Sequence, residues 1–163
     1  MLTNGLAGAI LGGFQLNTVL SFYSGTPFSI SADGTSLNAP GSTQRADQIK
    51  SSVAILHGVG SNPYFDTSAF AAVTTARFGT AGFDTVRGPG FANADFGLFR
   101  NFKVRERFTL QGRVEVLNAS NTPHLANPNG NVSSGGFGQI TSTSPGSRTT
   151  DERYMRLGFK ATF

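Results

Sequence analysis

Residues 151–163, DERYMRLGFKATF, end on a phenylalanine in the middle of what reads as a strand. Taken in steps of two from the end, Phe163, Ala161, Phe159, Leu157 and Met155 are apolar, while Thr162, Lys160, Gly158, Arg156 and Tyr154 between them are small, polar or charged. A period of two puts the first set on one face of a strand and the second on the other. Such a strand is either the rim of a soluble sandwich or a wall with lipid on one side and a water-filled lumen on the other.

The same alternation recurs upstream. In FQLNTVLSFYS (14–24), Phe14, Leu16, Leu20 and Phe22 share a face with Thr18, opposite Gln15, Asn17, Ser21 and Tyr23; Val19 is the exception. In RFTLQGRVEVLN (107–118), Phe108, Leu110, Gly112, Val114 and Val116 oppose Thr109, Gln111, Arg113 and Glu115, and Leu117 breaks the pattern. In NADFGLFRNF (93–102), Ala94, Phe96 and Leu98 make one face before Phe99 and Arg100 disturb the phase, as a bulge or an interfacial position does. The spacing predicts strands near 13–24, 93–103, 107–118 and 152–163. A generous reading adds TPFSIS (26–31) and SVAIL (52–56).

The connections are unequal. Lys103 to Arg107 form a tight charged hairpin, whereas 25–92 and 119–151 are long and rich in Gly, Ser, Pro, Asn and Thr. Structureless loops above about 15 residues argue against a compact soluble domain. Short turns at one end and long loops at the other are normal in an outer-membrane barrel. With the charged turn on the periplasmic side, the strands run out, in, out and in, and the long loops are extracellular. Phe163 then lands at the periplasmic interface, where aromatic side chains form girdles.

Composition agrees with a β protein whose polarity is carried by neutral side chains. Of 163 residues, 38% are hydrophobic and only 13% are charged, against about 25% in an average soluble domain. Glycine contributes 21 residues and phenylalanine 15, with no tryptophan. No stretch reaches the roughly 18 apolar residues of a spanning helix, a test to which barrel strands are invisible. The net charge of +4 comes from scattered residues and a cluster, Arg100, Lys103, Arg105 and Arg107, around one turn with Glu106. Without a basic stripe, no nucleic-acid partner is expected. Absence of cysteine excludes disulfides and thiolate metal sites. The opening MLTNGLAGAILGGF (1–14) has no Lys or Arg before its apolar run, so an export signal is expected outside this chain.

The terminal Phe163 with Phe159, Leu157 and Met155 resembles the C-terminal signature by which the barrel-assembly machinery recognises bacterial outer-membrane barrels. Ala161 departs from it, since a larger residue is common there. SGTPF (24–28), LNASNTPH (117–124) and their surroundings resemble, over essentially the whole chain, the C-terminal end of a TonB-dependent receptor of the Oar-like kind, with an amino-terminal carboxypeptidase-regulatory-like domain. The resemblance implies a barrel of about 22 strands with an internal plug, energised by TonB through that plug and importing or binding a large ligand. Nothing here resembles the plug. About four long strands also fall short of the roughly eight that the smallest barrels need. Residues 1–163 therefore read as an all-β, antiparallel fragment from the C-terminal end of a larger transmembrane barrel, in the bacterial outer membrane.

On this reading Phe14, Leu16, Leu20, Phe22, Phe108, Leu110, Val114 and Val116 face lipid, and Arg113, Glu115, Arg156 and Lys160 face the lumen. Glu115 comes opposite Arg156, which predicts a cross-strand ion pair. Phe28, Tyr64, Phe65, Phe70, Phe78 and Phe83 in the first long loop either pack the loop against itself or present rings to a ligand. Asp33, Asp47, Asp66 and Asp84 suit turn formation, as in Asp33-Gly34, better than an acid–base pair. His57 and His124 lack the spacing of metal ligands, and GTAGFDT (79–85) lacks the Gly-Lys-Ser/Thr end of a phosphate loop. No cofactor and no enzymatic activity are expected. Two other classes remain open: a structural or adhesive barrel completed by oligomerisation, and a soluble β-sandwich binding module. An outer-membrane hydrolase would require loop carboxylates or histidines to converge.

Overall fold

The computed structural model of the chain describes residues 12–105, 107–144 and 151–163. The apolar opening up to residue 11, Glu106 of the charged turn and residues 145–150 of the second long connection lie outside them. The strands in chain order are β1 (Phe14–Tyr23), β2 (Pro27–Phe28), β3 (Ser31–Asp33), β4 (Thr43–Arg45), β5 (Asp47–Gln48), β6 (Phe70–Ala71), β7 (Val86–Arg87), β8 (Phe91–Arg105), β9 (Phe108–Leu117) and β10 (Tyr154–Thr162). Among the described residues no helix is long and apolar enough to cross a membrane.

The long strands form one four-stranded sheet in the order β1-β8-β9-β10. β9 is antiparallel to both neighbours, with Val116, Val114 and Leu110 opposite Phe96, Leu98 and Phe102 on one side and Met155, Leu157 and Ala161 on the other. At the outer pair, the Arg100 guanidinium lies 4.8 Å from the Phe14 ring, and Asn17 is the β1 neighbour of Gly97. Going up one strand goes down the other, so β1 and β8 are antiparallel as well.

Two details differ from the sequence reading. Of the two readings of Phe99 and Arg100, the bulge is absent: the ladder continues through Phe99↔Arg113 and Arg100↔Gly112, and the irregularity falls between Lys103 and Arg105. Alternation is a property of the backbone pleat, and a charged side chain in an apolar row does not alter it. β8 also extends from Phe91 to Arg105, beyond the expected 93–103, because Val104 and Arg105 stay in the sheet and leave only 106–107 for the turn.

The connections expected as loops 25–92 and 119–151 fold into a second compact unit, comprising Tyr23–Phe91 and His124–Thr149. Its two-stranded pieces pair β2 with β7, β3 with β4 and β5 with β6. TPFSIS and SVAIL contribute β2, the start of β3 and an isolated bridge between Ile55 and Phe65, none of which joins the long sheet. All the buried hydrophobic side chains among the described residues belong to this unit, with Phe65, Ile30, Ile140 and Val86 the largest fully enclosed. The Phe65 ring meets those of Phe137, Phe70 and Phe28 at 5.3, 6.0 and 6.1 Å. Phe28, Tyr64, Phe65 and Phe70 thus pack the unit against itself, while Phe78 and Phe83 stay exposed.

Polar side chains hold the irregular backbone that such small strands leave unpaired. Asp66 caps the short helix Thr67–Ala69 by accepting from Ser68 N, and Lys50 Nζ donates to its other oxygen at 2.6 Å. Arg77 donates through both Nη atoms to Asp47, 2.7 Å each. Asp33 accepts from Thr35 N, and Asp84 exchanges hydrogen bonds with Ser29.

Hydrogen bonds from Arg77 to Asp47 and from Lys50 to Asp66 favour the ionised carboxylates and hold both below the usual range. A carboxylate depressed by folding stabilises the fold fully above its unfolded value, about 3.9. That contribution is lost as pH falls through the lower folded value. Amide protection around Ile30, Phe65 and Ile140 in the intact protein is therefore expected to be constant from pH 7 to about 4 and to fall below it. Undiminished protection at pH 2 would contradict this assignment.

Candidate functional site

The feature with functional content is the long sheet, whose two faces differ in kind. Its apolar face carries Phe14, Leu16, Leu20 and Phe22 from β1, Phe96, Leu98 and Phe102 from β8, Leu110, Val114 and Val116 from β9, and Met155, Leu157, Phe159 and Ala161 from β10. Phe108 begins β9 in the same phase. None of these side chains is buried: Leu16 is 65%, Leu157 71% and Phe159 81% exposed. Phe163 follows the end of β10 and is 96% exposed. The soluble-sandwich alternative predicts these positions inside a core, and within this chain none of them lies in one. At about 25 cal/mol per Å², a face of this size left in water has no counterpart in an ordinary soluble monomer.

Up to the register shift beyond Lys103, Arg100 is the one charge in the paired apolar rows of β8, β9 and β10; past the shift Arg105 is the register partner of Phe108. Its guanidinium lies over the rings of Phe14 and Phe102, at 4.8 and 4.7 Å. Ring faces stabilise a cation by about 0.5–1 kcal/mol at exposed sites. Against lipid, Arg costs about 2–4 kcal/mol at the midplane and about 0–1 near the interface.

The opposite face is polar. Glu115 and Arg156 are register partners, and Arg156 Nη1 stands 3.9 Å from Glu115 Oε2, the pair expected from sequence. With Arg156 more than half exposed, it contributes about 0.2–1 kcal/mol. Gln111 Nε2 donates to Asn101 Oδ1 at 3.0 Å, and Lys160 is the partner of Gln111 on the other side. Arg113 folds over Gly158, where an added Cβ would stand 2.5 Å from Arg113 Nε. Phe99 likewise folds over Gly97, with a Cβ there 2.8 Å from the ring. Val19 and Leu117, the exceptions to alternation, sit beside a shallow depression with Asn17, Asp95 and Glu115.

The sequence reading passed over Asn118, the residue on which the end of β9 turns. It is fully buried with φ 48°. Its N–H donates to Asp95 Oδ1, its Nδ2 to Thr122 O and Asp151 O, and its Oδ1 accepts from Thr122 N and Ser120 Oγ. Asn tolerates the left-handed region better than other non-glycine residues. The signal was its place in LNASNTPH directly after a strand. The candidate chemistry of the second unit does not assemble: Asp33, Asp47, Asp66 and Asp84 each serve a different turn or ion pair. His57 packs edge-on to Tyr64 and His124 stacks on Phe91, and no metal-ligating cluster occurs among the described residues.

An antiparallel sheet of long strands with one continuous exposed apolar face and one polar face is the wall of a membrane barrel. The chain matches the outer membrane beta barrel domain family over residues 1–155 and belongs to it. No curated protein and no solved structure matches it. It is thus an all-β protein of the bacterial outer membrane.

Asn118→Ala removes the bonds that tie 118–122 to Asp151 and places alanine at positive φ. It is expected to destabilise the barrel by about 1–3 kcal/mol, read as a lower urea midpoint of the intact protein in detergent. Asn118→Gly, which keeps the backbone relaxed, is expected to lose less.

Proposed function

We propose that this chain is the C-terminal wall of a TonB-dependent receptor that binds or imports an extracellular ligand, and that it is not an enzyme. The observation that carries the barrel part is the apolar surface from β1 to β10, interrupted only by Thr18 and Arg100 within the paired rows, with none of its residues buried. The receptor part rests on the resemblance carried by SGTPF and LNASNTPH. Phe14, Leu16, Leu20, Phe22, Phe108, Leu110, Val114 and Val116 face outer-membrane lipid, and Arg113, Glu115, Arg156 and Lys160 face the lumen. Met155, Leu157, Phe159, Ala161 and Phe163 form the strand read by the barrel-assembly machinery. β1 and β10 each have one neighbour among the described residues. An open edge in hydrocarbon leaves backbone groups unpaired, so further strands, with a plug through which TonB acts, complete the wall. The dispersal of the aspartates supports the non-enzymatic reading. The second unit, spliced between β1 and β8 and between β9 and β10, is the extracellular part available to the ligand.

The genomic reading frame tests the receptor part. A frame continuing upstream through many alternating strands to a plug supports it; a frame with neither removes it in favour of a barrel built from several copies. Two substitutions in the intact protein test the faces. Leu157→Lys is expected to destabilise insertion by about 2–4 kcal/mol if it lies near the midplane, whereas Asn17→Lys on the polar face leaves insertion intact, both read by heat-modifiable gel mobility of outer-membrane fractions. Phe163→Asp is expected to lower the amount of assembled barrel several-fold at unchanged expression, and equal assembly would remove the terminal-signal assignment.

A further inference from the structure

The polar face is not uniform along the strands. At the row of Gly97, Glu115 and Arg156, the one carboxylate and the one cation face each other. Toward the 106–107 turn the next rows are Phe99, Arg113 and Gly158, then Asn101, Gln111 and Lys160, then Lys103, Thr109 and Thr162. These three rows hold Arg113, Lys160 and Lys103, all exposed, and no carboxylate. None of the three forms an ion pair with a described residue. Arg113 and Lys160 are diagonal cross-strand neighbours, about 7–8 Å apart at the backbone. Lys103 lies about 12 Å from Lys160, two strands and one row away, on strand spacings alone. Both charged ends are on long stems, so all three reach one small multivalent ligand. The neutral groups between them, Gln111, Asn101, Thr109 and Thr162, offer hydrogen bonds without competing charge.

We propose that this patch binds a multivalent oxyanion, a polycarboxylate or polyphosphate group of the ligand that the barrel receives. The inference rests on the lumen-facing assignment in the proposed function and names the ligand class. Three like charges on a wall backed by hydrocarbon repel one another less weakly than in water, because the low-dielectric side does not screen them. An anion seated among them relieves that repulsion and takes charge-assisted hydrogen bonds from each.

The test is titration calorimetry of the intact outer-membrane protein in detergent, with citrate in one arm and tripolyphosphate in the other. Wild type is expected to bind at least one probe, and the stronger arm identifies carboxylate or phosphate. Binding should weaken as salt rises. Each of Lys103→Gln, Arg113→Gln and Lys160→Gln is expected to weaken it about 5- to 10-fold, and the triple variant to abolish it. Heat-modifiable mobility checks that each variant is a folded barrel; if the triple variant fails, Lys160→Gln, an exposed side chain on the edge strand, is decisive alone. Binding of neither probe by wild type, or equal binding by folded variants, overturns the proposal. A genomic frame without a plug, with anion binding intact, would instead remove the receptor reading and leave the patch standing.

Discussion

The register of β9 against β8 and β10 is the constraint on which the rest of the long sheet depends. Because side chains alternate with a period of two, a slip of one residue would turn every apolar residue of a strand to the polar side. In the observed register, Phe96, Val116 and Met155 form one row, and Leu98, Val114 and Leu157 the next. The polar rows interleave with them. One pairing choice thus creates both surfaces, and the ion pair between Glu115 and Arg156 follows from it rather than setting it.

The two compact units solve the problem of polar backbone differently. In the long sheet, ladder hydrogen bonds satisfy the inner strands outright, the condition that a membrane-spanning strand must meet. In the second unit the strands are too short for that, and side-chain carboxylates, amides and hydroxyls take over. Asp33, Asp66, Asn129 and Asn131 each accept from a backbone N–H two residues on. This is why a unit with a small aromatic core around Phe65 is so rich in Asp, Asn, Ser and Thr. Asn118 applies the same device at the end of β9, where it joins 118–122 to the start of the returning strand.

Much of the long sheet was legible in the residues. Exposed apolar residues alternating with polar ones carry a strand signal that does not depend on distant contacts, and the short charged turn fixed β8 and β9 as a hairpin. At Phe99 and Arg100 the hydropathy pattern breaks while the ladder does not, which removes the bulge and leaves the interfacial reading untouched. Arg100 keeps its place in the apolar rows by lying over Phe14 and Phe102, one of them on another strand. The second unit was not legible in the same way. Its strands of two or three residues have no period to detect, and its core joins Ile30 to Ile140 across more than half the chain.

By itself the sequence determined the long strands, their period-two alternation and the hairpin at 106–107, because these depend on local spacing, while alternation alone fits an apolar face against lipid and one inside a soluble core equally well. The tertiary structure alone decided that the long connections are a folded unit, that Asn118 is buried at the turn, and that Arg113, Lys160 and Lys103 share carboxylate-free rows. Each of these depends on which distant residues become neighbours, and long-range pairing leaves no periodic trace along the chain.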